Sequence, residues 1–283
     1  MNKHYSSVAK YFNNKADEYD DVDQQLYWVL SDSYFKEILK KEVPKLFPHR
    51  SKIKILDAGA GTGRWSIILY ELFHRSYNFS GHLLDISSKM LAVAEKKIKR
   101  LGLARKFTCT LANIEKMEVI PDHSYDLAIS FYNVLSFVEN PVTALREIRK
   151  KLKTGGYHIS LVANKYHAAY FSILTGRTSE LKAVLGKSQV RFNNDMPYIH
   201  CFSPQELRDL YKKSGYNSVR IIGGLNFMYP GMEETMVHGQ TSRIRTSLAQ
   251  TKIFERVLRS ELKCYDREDI VGRGNILMAI AKK

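Results

Sequence analysis

Ile55-Leu56-Asp57-Ala58-Gly59-Ala60-Gly61-Thr62-Gly63 is the stretch on which the fold turns. An apolar run that begins at residue 53 ends in glycines, which reads as a buried strand passing through a tight turn into a helix. Glycine suits a backbone that must bend sharply and let a ligand lie against it. In open α/β sheets ligands bind outside the carboxyl ends of the strands, and this turn stands at such an end. A dinucleotide site places its third glycine three residues after the second, so that a pyrophosphate rests on the helix N-terminus. Here that slot is Arg64, and the third glycine comes two residues after the second. The spacing suits a ligand with no phosphate and a cationic amino-acid end, near which Asp57 supplies negative charge.

Outward from this turn, strands are expected at 53–58, 80–85, 107–111, 125–130, 157–163, 219–222 and 276–281. Helices fall between them: Met90, Leu91, Ala94, Ile98 and Leu101 recur at helical spacing. Asn140-Pro141 and Ser203-Pro204-Gln205-Glu206 open two later helices, with Asn and Ser as caps and Pro in the first turn. Such alternation implies a parallel sheet covered on both faces. Residues 1–46 read as helical, closed by Pro44 and Pro48. Two stretches break the alternation and are expected to cap the sheet. The organisation predicted is a helical cap at 1–50, a cofactor-binding core at 51–163, 203–223 and 273–283, and cap insertions at 164–202 and 224–272. A second acid, Asp85, closes the second strand, where a carboxylate accepts hydrogen bonds from both hydroxyls of a ribose.

With these residues in place the sequence resembles the class I S-adenosylmethionine-dependent methyltransferases. The branch it is similar to includes quinone-biosynthesis C-methyltransferases and many small-molecule N- and O-methyltransferases. The resemblance covers about residues 5–223 and 274–281. Its markers are Phe12, Ala16 and Tyr19-Asp20, then 56–63, Leu84-Asp85-Ile86-Ser87 with Met90-Leu91, and Tyr125-Asp126-Leu127. Further along stand Leu152-Lys153 with Gly155-Gly156, and Phe202-Ser203-Pro204 with Gly215-Tyr216. It implies a Rossmann-like sheet of seven strands, the last inserted antiparallel between the fifth and sixth, and S-adenosyl-L-methionine as cofactor. It further implies that Gly59, Ala60 and Gly61 lie against the methionine portion, beside Asp57. Asp85 and Ile86 would hold ribose and adenine, with Met90 packed on the adenine. Asn113 and Ile114 stand where the family often has an acid facing the adenine amine; the Asn still accepts a hydrogen bond but carries no charge. Phe131, Tyr132 and Asn133 would line the reactive end.

One departure bears on catalysis. Relatives often carry histidines in the segment matching 134–138, where this chain has Ser136-Phe137. No catalytic base is carried over, so catalytic residues stay unassigned; aligning donor and acceptor in line can supply most of the acceleration. Residues expected near the acceptor are Tyr19, Tyr132, Asn133, Tyr170, Tyr198 and His200. Tyr19 either reaches the cofactor or only packs, and His200 is either a surface side chain or a proton acceptor. The insertions are rich in apolar bulk: Tyr166, Tyr170, Phe171, Phe192, Met196, Tyr198, Phe227, Met228, Tyr229, Met232 and Met236. Such a wall suits a small-molecule pocket.

The net charge of +15 is the loudest compositional signal and admits nucleic acid, an anionic membrane or an acidic substrate as partner. Its densest runs, 96–100 and 146–153, fall at helix C-termini, which in a parallel α/β sheet face away from the ligand edge. The first insertion carries five Lys/Arg against two acids, and 225–270 is balanced at seven against seven. Three scattered cysteines, Cys109, Cys201 and Cys264, share no ligand spacing, so neither metal nor disulfide is expected. No apolar run is long enough to span a membrane and no signal peptide is read at the start, so a cytoplasmic site is expected. The function expected is methyl transfer to a small molecule, natural product or peptide. Two alternatives stay open: an RNA methyltransferase, and a cofactor-binding regulator without catalysis. Oligomeric state is not legible.

Overall fold

The computed structural model describes residues 3–228 and 247–283. Helix α1 (Lys3–Lys15), a 3-10 turn (Tyr19–Gln24) and α2 (Leu26–Leu46) come first. Pro44 falls inside the last turn of α2 rather than closing the helix before it. The core then runs β1 (Lys52–Ala58), α3 (Arg64–Phe73), β2 (Asn78–Asp85), α4 (Ser88–Arg100), β3 (Phe107–Leu111) and β4 (Tyr125–Ser130). It continues through a single turn α5 (Val134–Phe137), α6 (Pro141–Lys151) and β5 (Leu152–Ala163). A helical hairpin, α7 (Lys165–Leu174) and α8 (Thr178–Lys187), is followed by paired two-residue strands β6 (Gln189–Val190) and β7 (Ile199–His200). The chain closes with α9 (Pro204–Lys213), β8 (Ser218–Gly224), α10 (Thr251–Leu262) and β9 (Ile276–Lys282).

The seven-stranded sheet has the order β3-β2-β1-β4-β5-β9-β8, and β9 alone runs antiparallel to its neighbours. This is the arrangement the resemblance implied. β1 is buried on both sides, as a central parallel strand must be: Ile53 and Ile55 enter one core, Leu56 and Ala58 the other. Strand order reverses between β1 and β4, which opens a crevice where the glycine turn emerges. Local signals fix the helix starts. Ser87 accepts from the Met90 N–H, Asn140 from Thr143 N–H, and Ser203 with Glu206 forms a reciprocal capping box.

Against one face lies α2, whose Tyr27, Leu30, Tyr34, Phe35, Ile38 and Leu39 are fully buried. The described part of the second insertion does not enter the ligand crevice. Phe254, Val257, Leu258 and Leu262 of α10 sit at helical spacing and pack on the core cluster that includes α2. Glu261, also buried, accepts from the N–H groups of Asn226 (2.6 Å), Phe227 and Met228 (both 2.9 Å) and so ties the strand end to α10. Tyr229, Met232 and Met236 lie outside the described residues. Among the described residues no helix is long and apolar enough to cross a membrane.

Candidate active site

The glycine turn is built for close approach. Gly59 has φ +94°, and a Cβ there would meet Val134 Cγ1 at 2.4 Å. Gly61 has φ +54° and faces open space. Leu84 at the end of β2 takes the Gly59 and Ala60 N–H groups at 2.7 and 2.9 Å, so the turn is hung from the neighbouring strand. The two acids bracket it. Asp57 accepts from the Ser66 hydroxyl at 2.7 Å, and its burial pushes the carboxyl up to about 7. Asp85 accepts from Gly61 N–H at 2.7 Å and Ser87 N–H at 2.8 Å; burial raises it while those bonds oppose the shift.

Two chambers open on this turn, and a third shares Tyr19 and Tyr132 with them. The first spans about 610 Å³, open in part to solvent, and is lined by Gly59, Gly61, Asp85, Ile86, Met90, Asn113, Ile114 and Phe131, with Phe12 and Val134 beside them. Asn113 already accepts from Glu115 N–H at 2.9 Å, which leaves it a second lone pair and its amide NH2 for further bonds. The second, about 760 Å³, lies beyond the glycines against Asp57, Ala60, Trp65, Arg64 and Asp32. The third is the largest, about 1490 Å³, walled by Tyr11, Phe12, Trp28, Phe137, Phe192 and Met196. Tyr19 and Tyr132 line all three. Burial and the charge of Asp85 push the Tyr19 phenol up to about 12, and burial with Asp32 raises Tyr132 well above the usual range, so both hydroxyls stay protonated.

The N-terminal segment is latched over the turn by charge. Asp20 accepts from the Thr62 hydroxyl at 2.7 Å and pairs with Lys97. Arg64 pairs with Asp23 and with the buried Asp32, which also takes the Tyr132 hydroxyl. A cation in the first turn of α3 opposes the helix dipole, and these acids offset it. Lys97, read from sequence as one of a solvated cluster, is therefore part of the latch. Tyr132 and Asn133 both hold positive φ, 54° and 71°, a strain that clusters at functional sites. The Asn133 N–H donating to Leu161 O at 2.9 Å and the Tyr132–Asp32 bond hold that conformation.

The outer chamber is also lined by Lys15, Glu18, Asp21, Gln25 and Asn275, and two further polar groups, Asn133 and His167, stand among its aromatics. The buried Asn133 Oδ1 has no hydrogen-bond partner among the described residues. His167, on the inner face of α7, was not singled out by sequence; burial lowers its imidazole to about 4, so it is neutral at physiological pH. Three expected acceptor residues stand elsewhere. Tyr170 is 46% exposed on the outer face of α7, because the 3.6-residue period turns His167 and Phe171 inward instead. Tyr198 is 41% exposed beneath the Arg191 guanidinium, with its hydroxyl on Glu180. His200 is packed on Phe202 and the backbone of Val138 and Glu139, and burial lowers its pKa. None of these three, nor the 52%-exposed Phe227, lines the chambers. Among the described residues no group of three His, Cys, Asp or Glu side chains is placed to hold a metal ion.

The cofactor implied by the resemblance fits the first two chambers. A Cβ at Gly61 would project into the open space of the cradle, Gly59 is held glycine by its φ and by Val134 against it, and the buried Trp65 Nε1 in the second chamber lacks a partner among the described residues. That N–H and Asp57 together suit the two charges of an amino-acid end.

Comparison with known proteins agrees. A family model described as a methyltransferase domain matches residues 49–215, more than half of the chain. The chain is 28% identical over 239 residues to a demethylmenaquinone methyltransferase of Protochlamydia amoebophila, covering 78% of this chain and 93% of that one. It is 24% identical over 244 residues to the Staphylococcus aureus (strain JH9) protein of the same name, covering 80% and 93%. Among solved structures, an S-adenosylmethionine-dependent methyltransferase from Mesorhizobium loti superposes with TM-score 0.55 at 18% identity, over 93% of this chain and 100% of that one. One from Thermotoga maritima gives 0.54 at 19% identity, over 97% and 99%.

Proposed function

The chain belongs to the methyltransferase-domain family, and from that premise we propose that it methylates a small, largely apolar molecule bearing a hydrogen-bond donor. It is an S-adenosylmethionine-dependent methyltransferase; the acceptor class is our reading. One observation carries it: the outer chamber shares Tyr19 and Tyr132 with the cofactor chambers, is walled inside by Tyr11, Phe12, Trp28, Phe137, Phe192 and Met196 with His167, Asn133 and Asn275 among them, and has its charged residues at Lys15, Glu18 and Asp21. The relatives named for demethylmenaquinone support a small-molecule acceptor.

The residues divide the work. We assign Asp85 to the ribose hydroxyls, Ile86, Met90, Ile114 and Phe131 to the adenine, and Asp57 and Trp65 to the amino-acid end; their lining of the first two chambers supports this. The bound cofactor supplies an electrophilic methyl on a sulfonium. What the protein adds is alignment and exclusion of water: the Tyr19 and Tyr132 hydroxyls, both protonated, position groups at the junction. The neutral His167 ring and the Asn133 oxygen can each accept from an acceptor O–H or N–H.

An RNA acceptor is less well supported. Arg177, Lys182, Lys187 and Arg191 of the first insertion line none of the chambers, and the outer mouth carries Glu18 and Asp21 beside Lys15. A nucleic-acid enzyme would concentrate positive charge there. Methyl transfer from labelled cofactor into a small-molecule extract and into total RNA tests the reading. Label in the extract supports it; label confined to RNA, or no transfer from a protein that binds cofactor, overturns it.

A further inference from the structure

Helix α7 is apolar on both faces. Its inner face carries His167, Ala168 and Phe171, buried in the first insertion's own core and along the acceptor chamber. Its outer face carries Tyr166, Tyr170, Ile173 and Leu174, at i, i+4, i+7 and i+8, and all four are exposed, Ile173 to 66%. A helix apolar all round is one that something covers on both sides. The neighbouring α8 adds Leu185, 64% exposed, one turn from the exposed Lys182 and two residues before the exposed Lys187.

Charge identifies the cover. Across 165–187 the cations are Lys165, Arg177, Lys182 and Lys187, and the one acid is Glu180. Lys165 is tied to Glu206 at 2.8 Å and Arg177 lies beside the buried Glu180, which Arg191 binds at 2.9 Å, so the outward cations of the hairpin are the exposed Lys182 and Lys187. Exposed tyrosine and aliphatic side chains bordered by lysine describe a helix that lies in a membrane interface, with its apolar face among acyl chains and its cations at anionic headgroups. RNA would need the cations without the Ile173–Leu174 surface, and the net charge of +15 disfavours face-to-face docking of two copies.

We propose that the α7–α8 hairpin seats this protein on an anionic lipid surface, with the acceptor chamber directly behind the membrane-facing helix. The placement gives an apolar acceptor a route that avoids bulk water: His167 on the inner side of α7 borders the chamber, and the exposed Ile173 on the outer side faces the bilayer. The purpose rests on the apolar-acceptor reading, but binding to lipid is measured with no acceptor present, so the two can fail separately.

The test is sedimentation of the full chain with vesicles of phosphatidylcholine alone and of phosphatidylcholine mixed with phosphatidylglycerol. Binding is expected only to the mixed vesicles and should weaken as salt is raised. Ile173→Glu with Leu174→Glu should weaken it by about tenfold or more, as should Lys182→Glu with Lys187→Glu. Cofactor affinity, measured in parallel, should stay unchanged in both variants and reports that they fold. Absence of binding to the mixed vesicles overturns the proposal, as does equal binding by wild type and variants. So does a wild-type dimer in solution that Ile173→Glu with Leu174→Glu dissociates, which would give the face to a second copy.

Discussion

Asp57 offers the sharpest quantitative test, because its environment sets a pH dependence that a generic carboxylate would not show. Burial holds the folded-state carboxyl near about 7, against an ordinary value of 3.8. For a group raised on folding, its contribution is fully present below the ordinary value and is lost as pH rises through the folded one. The ionised side chain thus costs the ligand-free protein about 4 kcal/mol above neutral pH, from about 1.4 kcal/mol per unit. A cationic ammonium beside it would reverse that preference, so binding of the cofactor or its demethylated product should draw on the ionised form. With a folded value of about 7, the ionised fraction rises about eightfold between about pH 6 and pH 7.5, and affinity should rise with it. Asp57→Asn should bind more weakly at the upper pH and lose most of that slope. Titration calorimetry of both proteins across the window measures it, with thermal unfolding of the ligand-free forms in parallel. A wild-type affinity flat in pH, or a slope retained undiminished in Asp57→Asn, would refute the assignment of this acid to the ligand's cationic end.

Asp85→Ala should weaken cofactor binding by about 1.5–3 kcal/mol, and it should also lower the melting temperature, because Gly61 and Ser87 N–H lose their acceptor; unaltered affinity would misplace the ribose site. His167→Phe should lower turnover about tenfold or more with cofactor affinity retained. In wild type, any contribution of His167 should be constant at neutral pH and fall away only as pH drops through about 4, where the ring protonates; a pH–rate step near neutrality that vanishes in the variant would contradict its burial. Phe192→Ala should raise the acceptor KM while Tyr198→Ala leaves it unchanged, since only the former lines the outer chamber; steady-state kinetics with either result reversed would move the acceptor site.

The parts of this protein legible in its sequence are those whose cause is local. Residues 55–63 announce a strand, a glycine turn and a helix within one window, and Asp85 announces itself as the end of the next strand. The latch was invisible for the opposite reason. Arg64 meets Asp32 from 32 positions away, and nothing in either neighbourhood says that a cation at the start of α3 needs an acid from α2. Nothing local marks His167 as a chamber residue. Tyr170 looks like a pocket residue in sequence because an all-round apolar helix offers no amphipathic stripe from which to choose its inner face, and Tyr198, in the irregular stretch before β7, has no periodicity to give its direction. The second insertion looked like a lid by the same reasoning, yet the stripe of Phe254, Val257 and Leu258 was already a signal for docking on another helix.

What joins these observations is the position of Tyr19 and Tyr132. Each lines all three chambers, so on the proposed reading one surface borders both the cofactor and the acceptor. Neither phenol is ionised in the folded protein; Tyr132 already donates its O–H to Asp32, so its service at the junction is steric and as an acceptor, while Tyr19 keeps its hydroxyl proton. Both are held by acids of the N-terminal segment: Asp20, adjacent to Tyr19, grips Thr62 and Lys97, while Asp32 receives the Tyr132 hydroxyl and the Arg64 guanidinium. The glycine turn is thereby bound to that surface through Thr62 and Arg64. Loosening the latch would disturb its cofactor and acceptor sides together. On the proposed reading, with no base carried over by the resemblance, that shared rigidity would supply the in-line alignment on which methyl transfer depends.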